Sequence, residues 1–452
     1  MHFKLLTAFK VVPFILCMAF AMSCAAGQEP PSAARQVRIA QPHKDTPPSS
    51  QSTSITSEPQ DTKAPPEEDD LFPEALQPRS ELWAPYEPKG PRILHLSGTM
   101  SQQENELIDY AEALGVDMQP AGFAAWITLQ GTRGWRVDVN KLATAVAEVQ
   151  RTGGLLNLGL SLGVGTNNFG EARDDAVANT TQFDERIDEI ADLLRVSGVR
   201  VLLRIGVEIN GEWKGHHPYT FPKAYRKIVN RFRARDVDNV AFVWCIVPHG
   251  DPDIFARDKN GKRKWFPGED FVDWYGLDVF HRMHFSPQVG RGRTGFDRYY
   301  NVANQLLEHA RRVGKPVIIG ETTPQYMNIP SMREDPRGAM AETIWKQWFL
   351  PFLAFLDMHP EIKAVTMLPV DWRKTSAWAE WGDSRIHRNP RLMALWKNEL
   401  ARSRWMHLSE SLGENLGELT PGEVSTPPNP VRRRPQTKRR PAQKKAPTRD
   451  GR

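Results

Sequence analysis

Eight short, nearly continuous apolar runs, separated by stretches with a helical pattern, constrain this chain more than anything else in it. The runs are RILHLSG (92–98), GFAAWITL (122–129), LLNLGLSLG (155–163), VRVLLRIGV (199–207), VAFVWCIV (240–247), DWYGLDVF (273–280), PVIIGE (316–321) and AVTMLPVDW (364–372). Runs of this length without polar alternation fit parallel strands covered on both faces. The stretches between them repeat apolar residues three or four apart, at 101–114, 138–151, 219–234, 297–313 and 338–357. In the clearest one, TQFDERIDEIADLLRVSG, residues Phe183, Ile187, Ile190 and Leu194 share a face. Thr181 stands where an N-cap belongs, and Gly198 follows the last turn. Residues 248–270, between the fifth and sixth runs, are polar and irregular and read as a long loop. Eight strands alternating with helices predict an α/β chain folded as a single (β/α)8 TIM barrel. A doubly wound open sheet is the competitor. It usually carries a glycine-rich phosphate loop after its first strand, and HLSGTMSQ is a poor one.

The barrel domain is expected over 83–410, without an internal linker. Residues 27–82 are rich in Pro, Ser, Thr and charge, cannot offset their ordering entropy, and read as a disordered linker. Residues 411–452 read as a basic, Pro-rich disordered tail. The chain has a net charge of +5, but 432–452 hold ten Lys and Arg against Asp450, so the rest carries −4. The high pI thus belongs to the tail. It is either solvated or a tether to anionic envelope polymers, and it is no sequence-specific nucleic-acid module.

Residues 1–26 read as an export signal. Lys4 and Lys10 flank or precede a short apolar run broken by Pro13, and Cys24 follows a small residue as in a bacterial lipoprotein. Lipidation at Cys24, with membrane attachment, and simple cleavage are the two outcomes. Both predict an exported protein: a periplasmic or cell-surface lipoprotein, or a secreted one. The three cysteines, Cys17, Cys24 and Cys245, offer no disulfide framework, so a large core must hold the body.

In a barrel of this kind, chemistry gathers at the C-terminal ends of the strands. Glu208 closes the fourth run and Glu321, after Gly320, closes the seventh. Either alone could be a surface residue at a strand end. Together, on roughly opposite sides of an eight-stranded barrel, they fit the two carboxylates, about 5–5.5 Å apart, that a retaining glycosidase uses.

The blocks RIGVEINGEWKG, FPGEDFVDWYGLDVF and KPVIIGE resemble glycoside hydrolase family 26, over about 90–400. The residues that carry the first match are Arg204, Glu208, Asn210, Gly211 and Trp213. The resemblance implies a mannanase-like retaining endo-β-glycosidase that hydrolyses a polysaccharide by double displacement, with Glu208 as acid/base and Glu321 as nucleophile, and without metal or other cofactor. It implies β-1,4-mannan first, with β-1,3-xylan and mixed-linkage β-glucan as alternatives. Three positions depart from the family: Val207 replaces a His, His216 a Trp, and Phe280 a Tyr that hydrogen-bonds the nucleophile. A Phe cannot donate that bond, and His281 or His284 is the candidate substitute. These departures also leave open a catalytically silent glycan-binding barrel, or, further off, a lyase.

Several residues complete the expected substrate site. Trp213 and Trp372 can offer flat apolar faces to a pyranose, or simply pack. Trp244, in mid-strand, reads as core. Arg204 can hold the nucleophile ionised, pair with Asp278, or both. Asn210 and His281 are expected to bond sugar hydroxyls. HRMH (281–284) and GHHP (215–218) lack a metal-ligand set. RDKNGKRKW (257–265) is a solvated loop or a contact for an acidic sugar. Glu208 is expected to titrate high, as a general acid should.

Overall fold

The computed structural model describes residues 84–98, 104–130, 134–163, 173–286, 297–375, 378–410 and 412–418. The chain divides into two units, Met1–Phe72 and Pro73–Arg452, and every described residue belongs to the second. The expected signal with Cys24, the linker over 27–82 and most of the basic tail lie outside the described residues. Among the described residues no helix is long and apolar enough to cross a membrane.

Eight parallel strands close into a barrel: β1 (Ile93–Gly98), β2 (Gly122–Thr128), β3 (Leu155–Ser161), β4 (Arg200–Ile205), β5 (Val240–Ile246), β6 (Trp274–Val279), β7 (Val317–Thr322) and β8 (Ile362–Met367). Each pairs with the next and β1 pairs with both β2 and β8, which closes the ring; a short β9 (Trp405–Met406) adds to β1. The first seven expected runs begin and end within two residues of these strands. The eighth ends at Met367, so Trp372 sits in a short 3₁₀ turn beyond it, not on the strand.

The helices are α1 (Glu104–Leu114), α2 (Trp135–Thr152), α3 (Asp174–Asn179), α4 (Asp184–Ser197), α5 (Phe221–Arg233), α6 (Asp297–Val313), α7 (Ala339–Ile344), α8 (Leu350–Met358), α9 (Pro390–Leu400) and α10 (Leu412–Asn415). In α4 the expected face, Ile187, Ile190 and Leu194, is buried, and Gly198 caps the end in the left-handed region. The N-cap is Phe183, without a side-chain cap, rather than Thr181, whose carbonyl accepts the Asp184 N–H one turn early. A π-turn over Trp345–Phe349 joins α7 to α8, where Pro351 lacks an N–H to continue a regular ladder.

Strand periodicity sorts the core into two layers. Residues such as Val201, Leu203 and Ile205 face outward into the cluster shared with the helices. The alternate set, including Leu155, Leu202, Ala241, Val243, Trp274, Ile318 and Ala364, fills the barrel interior together with Tyr86, Met406, Leu412 and Leu416. The last two residues belong to the stretch expected as tail. Their burial draws 412–418 back onto the barrel's lower end, where Tyr86 and Gly417 exchange backbone bonds with their partners across 84–90.

The β5–β6 connection carries no α-helix. Ile254, Trp265 and Phe266 are buried in it and pack where a helix would, against Trp244, Tyr275 and the α6 residue His309. The basic stretch within it is pinned by Lys264, paired to Asp251 and Asp253.

Candidate active site

The upper barrel interior is polar, and Arg204 organises it. It projects from β4 on the same side as Leu202, one step nearer the mouth, and is fully buried. Its Nε donates to Asn157 Oδ1 on β3 at 2.9 Å, and its Nη1 reaches Asp278 on β6 at 3.3 Å and Glu321 on β7 at 3.0 Å. Asn157 in turn donates to the Gly320 carbonyl and the Thr366 hydroxyl, so five strands, β3, β4, β6, β7 and β8, meet in one network. Gly320 must be glycine, because a Cβ there would lie 2.6 Å from Asp278 Oδ1 and 2.8 Å from Arg204 Nη1. Burial opposes the guanidinium charge, but Asp278 and Glu321 hold its pKa above the ordinary value. Burial pushes the Asp278 pKa well up; Arg204 opposes this, while Glu321 and Glu208 add to it. Asp278 and Glu321 thus share one guanidinium.

Glu321 owes its direction to an irregularity. Ile318 and Gly320 point into the barrel, so strict alternation would send Glu321 outward. The register of β7 shifts between Ile319 and Thr322 against both β6 and β8. Such a bulge re-aims a side chain, and Glu321 turns into the mouth. There Oε1 accepts from Arg204 Nη1 and from Trp126 Nε1 on β2, both at 3.0 Å. The donor expected from His281 or His284 comes from Trp126 instead. The His281 and His284 Nδ1 atoms accept backbone N–H groups within their own turn.

Glu208 sits just past β4 on three consecutive left-handed residues: Gly206 (φ 91°), Val207 (φ 39°) and Glu208 (φ 51°). Such strain, above all at a β-branched Val, persists only when the surroundings impose it. Here Gly206 N–H donates to Leu160 O, Ile209 N–H to Cys245 O, and His216 bridges Asp174 and the Gly206 carbonyl at 2.8 and 3.0 Å. His216 thus braces the turn. The carboxylate Oε2 receives Trp213 Nε1 at 2.8 Å and Lys214 Nζ at 3.1 Å. Burial would raise the Glu208 pKa, but Lys214 and the Trp213 bond outweigh it and the net shift is down. The sequence-based expectation of a raised value is therefore corrected, and Lys214 is the reason.

The remaining expected residues separate. Trp213 is half-buried and stacks on His249, 4.7 Å between centroids, which in turn stacks on His284. Asn210 is fully buried and bonds only backbone: the carbonyls of Val247 and Asp251 and the Val247 N–H. It ties the Glu208 turn to the β5 loop. Trp372 is buried, with its N–H on Ser384, and packs behind Trp381; the exposed indole of this group is Trp378. Phe280 is buried against Trp381, while His281 lies partly open beside the exposed Tyr326. Trp244 is core, as expected. Among the described residues, one group has metal-ligating spacing, Glu106, Asp109 and His387, and Lys374 and Arg385 already pair with Glu106.

Trp126, Asn157, Lys214 and Asp174 were not singled out from sequence. A lone Asn within LLNLGLSLG was a usable signal, since a buried strand rarely carries an amide without a partner. Nothing comparable marked Trp126 among apolar neighbours.

With two carboxylates held this way at the ends of β4 and β7, comparison with known proteins becomes informative. A model of glycosyl hydrolase family 26 matches residues 168–306, which include Glu208, Arg204 and Asp278. The chain resembles glycoside hydrolase family 26, and it is a glycoside hydrolase. A β-1,3-xylanase from a Vibrio species is 28% identical over 335 residues, covering 71% of this chain and 67% of that protein. A β-1,3-xylanase from an Alcaligenes species is 25% identical over 341 residues, covering 72% and 67%. This glycoside hydrolase thus spans about two thirds of the length of those relatives. Among solved structures, a family 26 β-mannanase from Bacteroides ovatus superposes with a TM-score of 0.48 at 15% identity, covering 71% of this chain and 92% of that one.

Proposed function

We propose that the protein is a retaining endo-β-glycosidase in which Glu321 is the nucleophile and Glu208 the acid/base, acting on a β-linked polysaccharide of the β-1,3-xylan type. One observation carries the mechanism: each carboxylate is held by one indole N–H and one cation, Glu321 by Trp126 and Arg204, Glu208 by Trp213 and Lys214. Glu321 would attack the anomeric carbon while Glu208 protonates the departing oxygen; water, deprotonated by Glu208, would then release the sugar. Arg204, itself fixed by Asn157 and Asp278, holds the nucleophile's carboxylate in place. The β-1,3-xylanase relatives support xylan over mannan, and Val207, His216 and Phe280, which depart from the mannanase-like pattern, agree.

The test is product release from β-1,3-xylan, β-mannan and mixed-linkage glucan, with the anomer followed by NMR. Retention, and losses of several orders of magnitude in Glu321→Ala and Glu208→Ala, are expected. An inverted product, or activity surviving loss of Glu321, would sink the assignment. The 1–26 stretch supports export, and fractionation of Cys24→Ser against the wild type tests lipid attachment: a lipoprotein leaves the membrane fraction on substitution.

A further inference from the structure

Two cations stand at the carboxylate pair, and they differ in freedom. Arg204 is wholly buried and tied to Asn157, Asp278 and Glu321. Lys214 lies in a one-turn 3₁₀ segment after the strained turn, and its side chain is 29% exposed while its Nζ holds Glu208 Oε2. A general acid must carry a proton when the glycosidic oxygen departs, and an ammonium ion 3.1 Å away opposes this. The groups facing Glu208 do not relieve the conflict: Trp213 donates to the same oxygen, His249 favours the carboxylate as Lys214 does, and Glu321 and Asp278 favour the ammonium form of Lys214. Something must draw the ammonium away when substrate enters. The glycosidic oxygen lies within hydrogen-bond reach of Glu208 in any productive complex, so Lys214 lies within one sugar's width of the scissile bond.

We propose that Lys214 is a specificity-determining residue whose ammonium group transfers from Glu208 to an anionic substituent, a carboxylate or sulfate ester, on a sugar flanking the scissile bond. The proposal rests on the assignment of Glu208 as acid/base. It deepens the substrate class from a neutral β-glycan to one bearing negative charge. No covalent step is added: the ion pair exchanges partners, and Glu208 takes up the proton it later donates.

The experiment uses the full chain with β-1,3-xylo-oligosaccharides in three forms: unsubstituted, sulfate-esterified, and bearing carboxylates. Wild type, Lys214→Met and Lys214→Arg are compared by kcat/KM, and the same Lys214 substitutions in a Glu321→Gln background by binding. The wild type is expected to favour one anionic form at least tenfold at low salt; whichever arm wins names the anion. Lys214→Met should bring the ratio near one, and Lys214→Arg should keep most of it. On the unsubstituted substrate the alkaline limb of kcat/KM should lie at higher pH in Lys214→Met, because Glu208 loses its cation; a merely structural lysine would not move it. Equal turnover of neutral and anionic forms, or a ratio unchanged by Lys214→Met, overturns the proposal and leaves the glycosidase assignment standing. Lys214-dependent binding of an anionic form that the wild type does not cleave overturns Glu208 as acid/base, and the proposal with it. Absence of Lys214-dependent binding overturns it.

Discussion

Single residues at the barrel mouth do work that their neighbours in sequence do not reveal. Trp126 gives Glu321 the N–H that Phe280 cannot, from a strand 195 residues away. Trp126→Phe keeps most of the ring and removes only the donor. A hydrogen bond to a charged acceptor contributes about 1.5–3 kcal/mol, so kcat/KM is expected to fall about 10- to 100-fold with little change in unfolding midpoint. Steady-state kinetics beside thermal unfolding would separate this from a packing defect. Gly206 is the other sensitive position. At φ 91°, a Cβ would sit 2.5 Å from the Phe221 ring and 2.7 Å from Ile209. Gly206→Ala is expected to cost about 1–3 kcal/mol of stability from backbone strain alone and to lower activity by displacing Glu208. A urea midpoint equal to wild type would refute the strained-turn account. Glu208 and Glu321 were legible in the sequence because together they end the fourth and seventh of eight apolar runs, on opposite sides of a barrel mouth. The direction of the Glu208 shift was not, since it depends on where Lys214 lands after a turn that no local pattern specifies.

At the scale of elements, the β5–β6 connection shows how a barrel tolerates a missing helix. Its aromatic residues cover the strands, and Glu269 clamps it to α6 and β6 by accepting from His309 and Tyr275, and to the segment before β7 by pairing with Lys315. Burial opposes the Glu269 charge, but these three partners, on α6 (His309), β6 (Tyr275) and the α6–β7 connection (Lys315), together hold its pKa down to about 2. The sign follows directly: with the folded value below the ordinary carboxylate range near 4.3, Glu269 stabilises the fold fully above about pH 5. That contribution fades as pH falls toward about 2. Glu269→Gln should therefore unfold at lower urea than wild type at pH 7, with the gap narrowing toward pH 3. A gap that stays constant across that range would show that the charge is not what matters. The sequence showed this segment as an irregular loop, which it is. It did not show that Trp265 and Phe266 are buried, because irregular backbone has no period from which to read a face.

At the scale of the whole barrel, the lower end is closed by residues 84–90 and 412–418. Leu412 and Leu416 fill the base of the barrel interior beside Tyr86, and the backbones of 84–90 and 412–418 pair there. A chain ending at Ser409 should be less stable than one ending at Glu418, by about 2–5 kcal/mol if the two leucines behave as buried core residues. Denaturant unfolding of the two truncations would decide it, and equal midpoints would show that the closure contributes nothing. By itself, the sequence determined the eight strands, most of the helices, the barrel and the pair of glutamates at its mouth. These depend on short-range periodicity and on the rule that a parallel barrel keeps its chemistry at the strands' C-terminal ends. Tertiary structure decided the rest: the bulge that turns Glu321 inward, the indole and cation assigned to each carboxylate, and the burial of Asn210 and Trp372. Each of these depends on a contact between strands or loops, where distance and orientation, not order along the chain, set the energy.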